Sequence, residues 1–322
     1  MKRIVSLLLT LTMLVFAACA FAGCSDEGAT DVKIGIVQPM DHTSLNQIRD
    51  TIIATLVELG YSEDQIIVKN ASNDASLLPS IFQSLISDGV DILIPIATNT
   101  AQIAAAQTDT VPIVFSAVSN PVDAGLVTAF DATDKNVTGV SDAVNVEAIF
   151  DLMKEMTPDV KTVGFVYNSG EINSTTAVAR AKTYCDANGI AYKEATVSST
   201  ADIAQAVNSL VGEVDAFFTA DDNTVASGMT TYAQIAIDAG LPIYVGADSM
   251  VIDGGLATVG IDYDVLAKQT AEMADRILKG AKIADTPVEQ VANPAKIINR
   301  ATADAIGVTI PEATASEFTI IE

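Results

Sequence analysis

The chain has 322 residues, 49% hydrophobic and 18% charged, with 17 Lys and Arg against 41 Asp and Glu, one His, three Cys and no Trp. A formal charge of -24 cannot neutralise phosphates, which argues against nucleic-acid binding through a basic face, and an apolar content near one half excludes a chain too polar to build a core. The length suits two folded units or one large one.

Met1-Lys2-Arg3 gives a positive start, and Ile4 to Ala22 is an apolar run interrupted only by Ser6, Thr10 and Thr12, the pattern of a secretory signal. Phe21-Ala22-Gly23-Cys24 followed by Ser25-Asp26-Glu27-Gly28 resembles the lipobox of bacterial lipoproteins, which predicts a signal over 1–23, lipid on Cys24 and a tether over 24–31. A plainly cleaved signal and an uncleaved anchor are the other readings. Removing 1–23 takes away Lys2 and Arg3 and no acid, so the balance moves from -24 to -26. Cys19 leaves with the signal, and Cys185, the one remaining thiol, cannot form an internal disulfide and reads as a small core residue of a helix.

From Val32 the chain alternates strand and helix. Val32 to Gln38 is an apolar, β-branched run, and Leu45, Ile48, Ile52, Leu56 and Leu59 then recur at spacings of three and four before Gly60. Ser44 with Gln47 three residues on fits a capping box. The unit returns as Gln65 to Lys69 with a helix ending near Gly89, as Val90 to Ile96 with a helix from about Asn99, and as Pro112 to Phe115. Strands separated by helices of this length predict a parallel sheet covered on both faces.

The second half repeats the first. Val90-Asp91 followed by Asn99-Thr100 is echoed by Val214-Asp215 followed by Asn223-Thr224 at an offset of 124, and Pro112-Ile113 with Ala117-Val118-Ser119 is echoed by Pro242-Ile243 with Ala247-Asp248-Ser249 at an offset of 130. Two lobes of one α/β architecture are expected. Leu256 to Ile261 then reads as a strand and Tyr263 to Lys279 as an amphipathic helix, with Glu272/Arg276 and Asp275/Lys279 as surface pairs. The tail adds one strand and one short helix, which must return to the existing lobes.

Ligands of open parallel sheets sit beyond the C-terminal strand ends, where loops enter helix N-termini. In the first lobe those ends offer Gln38, Thr98, Asn99, Thr100, Ser116 and Ser119, with Asp41 the only acid; in the second they offer Glu171, Asp221, Asp222 and Asp248. Hydroxyls and free amides at helix N-termini suit an anion and carboxylates suit a cation, so a ligand held between the lobes would carry both charges, as the head of an amino acid does. Charge-assisted hydrogen bonds of about 1.5–3 kcal/mol each make three or four of them, after association costs, compatible with the roughly 8 kcal/mol of micromolar binding. Each residue also has a plainer reading. Ser, Thr, Asn and Asp after strands are common as N-caps, with Thr98 or Asn99 and Asp222 or Asn223 the clearest examples. Asp221 reads as a solvated loop acid, whereas Glu171 has no local capping role. His42 is a loop hydrogen-bonder or a ligand contact, and Met40 covers an apolar ligand side chain or fills a lobe edge.

An enzyme finds little support. A Ser-His-acid system would rest on His42 alone, and no Gly-x-Ser-x-Gly elbow, Gly-x-Gly-x-x-Gly fingerprint or phosphate-binding Gly-x-x-x-x-Gly-Lys occurs. With one His and one residual Cys, no metal site and no cofactor are expected. Two acids across a cleft could act as general acid and base, the remaining enzymatic alternative. Stacking on sugar faces is disfavoured by the lack of Trp and by only seven Tyr and ten Phe.

The exported start together with V-K-I-G-I-V-Q, I-A-T-N-T-A, V-F-S-A-V-S-N-P-V-D-A-G-L-V, N-V-T-G-V-S-D, Y-N-S-G-E-I-N-S, D-N-T-V-A-S and G-G-L-A-T-V-G-I-D-Y resembles the solute-binding lipoproteins of ABC importers whose characterised members take tryptophan and related aromatic amino acids. The resemblance runs from about Asp31 to Glu322. It implies a type I periplasmic-binding-protein fold, two Rossmann-like lobes with a three-segment hinge: 32–140 plus about 257–285 as the N-terminal lobe, and 141–256 plus about 286–322 as the C-terminal lobe. Hinges are implied near Val118 to Gly139, Leu256 to Ile261 and Asp285. Ligand contacts carried over by motif are Thr98, Asn99, Ser116, Ala117, Glu171, Asn173, Ser174, Asp222, Asn223 and Asp248, with Thr98 and Ser116 toward a carboxylate and Glu171, Asp222 or Asp248 toward an ammonium. The implied partners are an ABC permease with its ATPase and, through lipid on Cys24, the bacterial cell membrane. A receptor lobe that senses another zwitterionic or cationic solute is the alternative.

Overall fold

The computed structural model describes residues 32–131, 135–291 and 293–322. The expected signal segment, the lipidated Cys24 and the tether lie outside the described residues.

Five strands open the fold: β1 (Ile34–Gln38), β2 (Ile66–Asn70), β3 (Ile92–Pro95), β4 (Ile113–Ser116) and β5 (Val137–Ser141). Eight follow: β6 (Thr162–Asn168), β7 (Ala191–Val197), β8 (Ala216–Thr219), β9 (Ile243–Val245), β10 (Ala257–Gly260), β11 (Glu289–Gln290), β12 (Ala295–Asn299) and β13 (Thr319–Ile321). They form two sheets, ordered β11-β5-β4-β3-β1-β2 and β13-β12-β10-β9-β8-β6-β7. The first is parallel throughout, and in the second β12 and β13 run parallel to each other and opposite to the other five, β12 pairing antiparallel with β10. The expected two-lobed parallel α/β architecture is therefore present, the fold of type I periplasmic binding proteins.

Fully buried central strands explain the near-continuous apolar runs of the sequence, since both faces are covered by helices. Helix α1 (Thr43–Glu58) buries Leu45, Ile48, Ile52 and Leu56, the residues whose spacing predicts it. Helices α2 (Leu78–Ser87), α3 (Thr98–Gln107), α4 (Val146–Met156), α5 (Ile172–Asn188), α6 (Ile203–Leu210), α7 (Asn223–Ala226), α8 (Met229–Asp238), α9 (Asp248–Ile252), α10 (Tyr263–Leu278), α11 (Arg300–Ile306) and α12 (Glu312–Glu317) complete the α-helices of the described residues. Phe82 and Phe115 fill the first lobe, while Phe150, Phe165, Phe217, Phe218, Tyr232 and Tyr244 fill the second; burying each is worth about 2–3 kcal/mol. The aromatic residues are thus mostly committed to cores. Cys185 is buried on α5, as expected of a core residue.

The chain passes between the lobes three times. Ser141 ends the first sheet and 142–145 lead into α4, which packs on β9 and β10. Residues 261–262 lead from β10 into α10, which returns to pack on α1, β4 and β5, and the chain passes again after β11, to reach β12. Three expectations are corrected. The first crossing follows 118–139 rather than lying within it, because Val137–Ser141 is a fifth strand of the first sheet. Ala257–Gly260 belongs to the second sheet, and the return to the first lobe continues to Gln290, where a two-residue strand pairs with β5. The tail from Asn293 holds two strands and two short helices instead of one of each; segments of three to seven residues are too short to show a period. On α10, Asp275 pairs with Lys279 as expected, but Arg276 reaches Glu289 rather than Glu272.

Candidate functional site

The C-terminal ends of β3 and β4 deliver the first half of the cleft. Ala97 follows β3 with φ 75 and ψ 156, and Ala117 follows β4 with φ 57. Both lie in the left-handed half of backbone space that L side chains rarely adopt, at roughly 1–3 kcal/mol each. The backbone N–H of Ala97 donates to the Ser116 carbonyl at 2.9 Å, holding the turn in place. Ala97 is the N-cap of α3 and supplies no side-chain acceptor. The helix makes its first backbone bond from Ala101 to the Ala97 carbonyl, so its first-turn amides and the positive end of its dipole face outward without an internal anion. Thr98 is buried at this end and Asn99 is exposed. Thr98 is the first helical residue rather than the cap. Ser116 is spent elsewhere: its Oγ pairs with Thr270 Oγ1 at 3.0 Å and docks α10 on β4.

The equivalent helix end in the second lobe is already occupied. Asp222 caps α7, accepting from Val225 N at 2.8 Å through Oδ1 and from Asn168 N at 2.6 Å through Oδ2. Glu171 arrives from the loop before α5. Its Oε2 accepts from Asn223 N at 3.0 Å and Nδ2 at 2.8 Å, and its Oε1 accepts from Thr224 N at 3.0 Å and Oγ1 at 2.8 Å. Burial and the charge of Glu171 push Asp222 up to about 7. Asn173 Nδ2 donates to the Asp221 carbonyl at 2.8 Å, and buried Ser174 bonds to Asp222. Asp248 opens α9, where Oδ1 accepts from Ser249 N at 2.7 Å and Oδ2 from Gln47 Nε2 at 3.3 Å; burial pushes it up to about 6. The oxygens of Glu171, Asp222 and Asp248 are all held by protein donors.

Asp221, whose plainer reading was a solvated loop acid, is buried instead. Its Oδ2 accepts from Ser119 Oγ while its buried Oδ1 has no partner, and burial pushes the acid up to about 6. Behind it lies Asp142, also buried, bonded to Ser119 Oγ at 3.0 Å and to the Tyr263 hydroxyl. Asp142 is not among the residues expected from sequence, because the implied hinge over 118–139 overlaps β5, the strand it follows. Nor is Ala97, because a non-glycine left-handed residue leaves no mark in a sequence.

Several bonds join the lobes. Ser44 Oγ lies 2.6 Å from Ser249 Oγ, and Gln47 reaches Asp248, so these two residues bridge the cleft rather than form the expected capping box; His42 is the N-cap of α1 and makes no side-chain cap bond. His42 Nε2 lies 3.3 Å from Asn223 Oδ1. Because Asn223 gives its Nδ2 to Glu171, Oδ1 is an acceptor and Nε2 carries the ring proton. Burial pushes His42 down to about 4, so the ring is neutral.

The cleft between the lobes holds a cavity of about 450 Å³, lined by Met40, Asn99 and Gln102 from the first lobe and Glu171, Ile172 and Asn223 from the second. Asn173 also lines it and faces a further, enclosed space of about 10 Å³ among Thr98, Ala117, Asp142, Asp221 and Tyr263, room for about one water. Of the expected contacts, Met40, Thr98, Asn99, Ala117, Glu171, Asn173 and Asn223 line these spaces; His42, Ser116, Ser174, Asp222 and Asp248 lie behind them.

The tyrosine-binding protein of Clostridioides difficile is 33% identical over 321 residues, covering 95% of this chain and 92% of that one. A structure from Streptococcus pneumoniae in complex with L-Trp is 38% identical, with a TM-score of 0.86 over 90% of this chain and 99% of that one. The ligand-free, open structure of a substrate-binding protein with adhesive properties from Clostridium difficile is 34% identical, with 90% and 99% covered, but its TM-score is 0.70. At similar identity, this structure is nearer in arrangement to the L-Trp complex than to the open form. Residues 33–319 match the sequence profile of one family over most of the chain, and the protein therefore belongs to the ABC transporter substrate-binding proteins.

Proposed function

We propose that the protein is the extracytoplasmic receptor of an ABC importer, that it closes its lobes around a free amino acid, aromatic by preference, and that it hands this ligand to the permease and its ATPase. The carrying observation is the pairing of an uncapped α3 N-terminus with the unpartnered, buried Oδ1 of Asp221 on either side of one cleft. The first-turn amides of α3 with Thr98 take the ligand carboxylate, and Asp221 takes the ammonium. Charge-assisted hydrogen bonds at both ends contribute about 1.5–3 kcal/mol each. The cavity of about 450 Å³ falls within the 300–1,000 Å³ range of small-molecule pockets and takes the side chain against Pro39, Met40 and Ile172. The relatives that bind tyrosine and L-Trp support an aromatic side chain. Export through the 1–23 segment and a lipid on Cys24 would hold the receptor at the cell membrane, beside its permease.

Thermal melting against the twenty amino acids tests the reading. The transition is expected to rise with L-tyrosine, L-tryptophan or a close relative, and recovery of the compound unchanged distinguishes binding from turnover. No rise with any of them would overturn the amino-acid assignment.

A further inference from the structure

Resting on the amino-acid reading of the cleft, a further inference concerns the proton balance of its two buried acids. The Ser119 hydroxyl has one proton, yet its oxygen is within hydrogen-bond reach of two carboxyl groups, Asp142 Oδ1 at 3.0 Å and Asp221 Oδ2. A hydroxyl donates once, and an ionised carboxylate only accepts. Both contacts are bonds only if one acid keeps its proton and donates it to Ser119 Oγ. Asp221 lines the enclosed space and also a neighbouring cavity of about 180 Å³ with Asn173 and Arg180, and Asn173, which lines the cavity of about 450 Å³ as well, stands between that cavity and the acid. Asp142 shares the enclosed space but not the cavity of about 180 Å³, and is bonded to Ser119 and the Tyr263 hydroxyl.

We propose that Asp142 is a neutral carboxylic acid in the closed protein, donating to Ser119, which in turn donates to ionised Asp221, and that ligand capture therefore takes up one proton. The groups facing this pair agree with that assignment. Tyr263 feels Asp142, Asp221 and Asp248, and Glu171 acts on Asp221; none of these brings positive charge. The guanidinium of Arg180 is bonded to Glu147 Oε2 at 2.7 Å and to the Val144 carbonyl at 3.0 Å. Among the described residues no Lys, Arg or His is bonded to either acid. Burial and the charge of Asp221 push Asp142 well above the usual carboxylate range. Asp142 follows β5 of the first sheet and Asp221 follows β8 of the second, so opening the lobes separates and hydrates them, returning Asp142 to an ordinary value near 4. Closure at pH 7 then binds a proton, and affinity weakens, by at most about tenfold per unit, as pH rises above the open-state value. The site faces the ligand with a single negative charge, matched to one ammonium.

Titration calorimetry with L-tryptophan, in two buffers of different ionisation enthalpy, reads the proton directly. Wild type is expected to take up about one proton at pH 7. D142N, whose amide donates to Ser119 without a titrating proton, is expected to take up none, to show a flat pH profile, and to bind at pH 8 at least as tightly as wild type. Absence of uptake in wild type, or a loss beyond about tenfold in D142N, overturns the neutral acid. Failure of the amino-acid reading looks different, since no heat would appear with either protein. A second arm needs no ligand. Ser44→Cys with Ser249→Cys, at hydroxyls 2.6 Å apart, locks the lobes together by a disulfide, and infrared difference spectra with and without D142N at pH 7 show the carboxylic-acid C=O band if Asp142 is protonated. Its absence from the locked protein overturns the proposal whatever the ligand.

Discussion

Two helix ends, α3 in the first lobe and α7 in the second, occupy matching places in a duplicated architecture and have been put to opposite uses. At α7 the chain fills the anion site with its own carboxylates, Asp222 from the cap position and Glu171 from another loop. At α3 the cap is an alanine with no acceptor, and the site is left for something from outside. The same backbone electrostatics therefore yields structure on one side and recognition on the other. The negative charge that the second lobe offers a ligand comes not from the two acids that close its helix but from buried Asp221, which keeps one oxygen unpartnered.

The sharpest way to break that comparison is Asp221→Asn. It removes the one charge assigned to the ligand ammonium and leaves both carboxylates of α7 intact, so affinity for L-tryptophan or L-tyrosine should fall by about 10- to 100-fold, while the unliganded protein, relieved of a buried charge, should melt no lower at pH 7. Calorimetry and thermal melting separate the two effects, and an unchanged Kd would move the ammonium site elsewhere. Glu171→Ala should do the reverse. Four donors lose their acceptor, and the unliganded protein should lose about 2–3 kcal/mol in denaturant unfolding, because the Asn223 and Thr224 groups are left without their anion.

A third prediction concerns pH. Asp221, Asp222 and Asp248 stand at about 6, 7 and 6 in the closed structure, above the ordinary value near 4 that they hold when unfolded. A raised folded value means that the fold favours the protonated form. The contribution is therefore fully present below about pH 4 and is lost as pH rises through about 6 to 7. Unliganded protein should thus melt progressively lower between pH 5 and pH 8, as followed by circular dichroism. The loss should shrink in Asp222→Asn, and no matching term should arise from α3, which holds no acid.

Much of this was legible from residue order alone. Apolar runs marked β1, β3 and β4, three-and-four spacing marked α1 and α10, and the repeated Asn-Thr pairs marked the two helix ends. Local pattern failed where the partner was distant. Glu171 lacks a capping role near its own position because the helix it closes begins 52 residues later, and Ser44 with Gln47 imitates a capping box while bonding to α9 across the cleft. Asp142 was lost with a strand whose sequence, Val-Thr-Gly-Val-Ser, is short and interrupted by glycine, a weak strand signal.

The smallest expected effect sharpens the comparison at its backbone. Asp222 caps α7 from φ -87 and ψ 117, a conformation any residue adopts, whereas Ala97 caps α3 from φ 75 and ψ 156. The left-handed cap is held by the bond from Ala97 N to the Ser116 carbonyl and turns the first amides of α3 toward the cleft. Glycine accepts that conformation without the strain of roughly 1–3 kcal/mol, but carries an unfolded-state entropy penalty of about 0.5–1 kcal/mol. Ala97→Gly should therefore stabilise the unliganded protein by about 1 kcal/mol in denaturant unfolding, with Asp222→Gly as the contrasting loss. A destabilised Ala97→Gly would mean that the alanine methyl, buried at the mouth of the cleft, contributes more through packing than its backbone loses through strain.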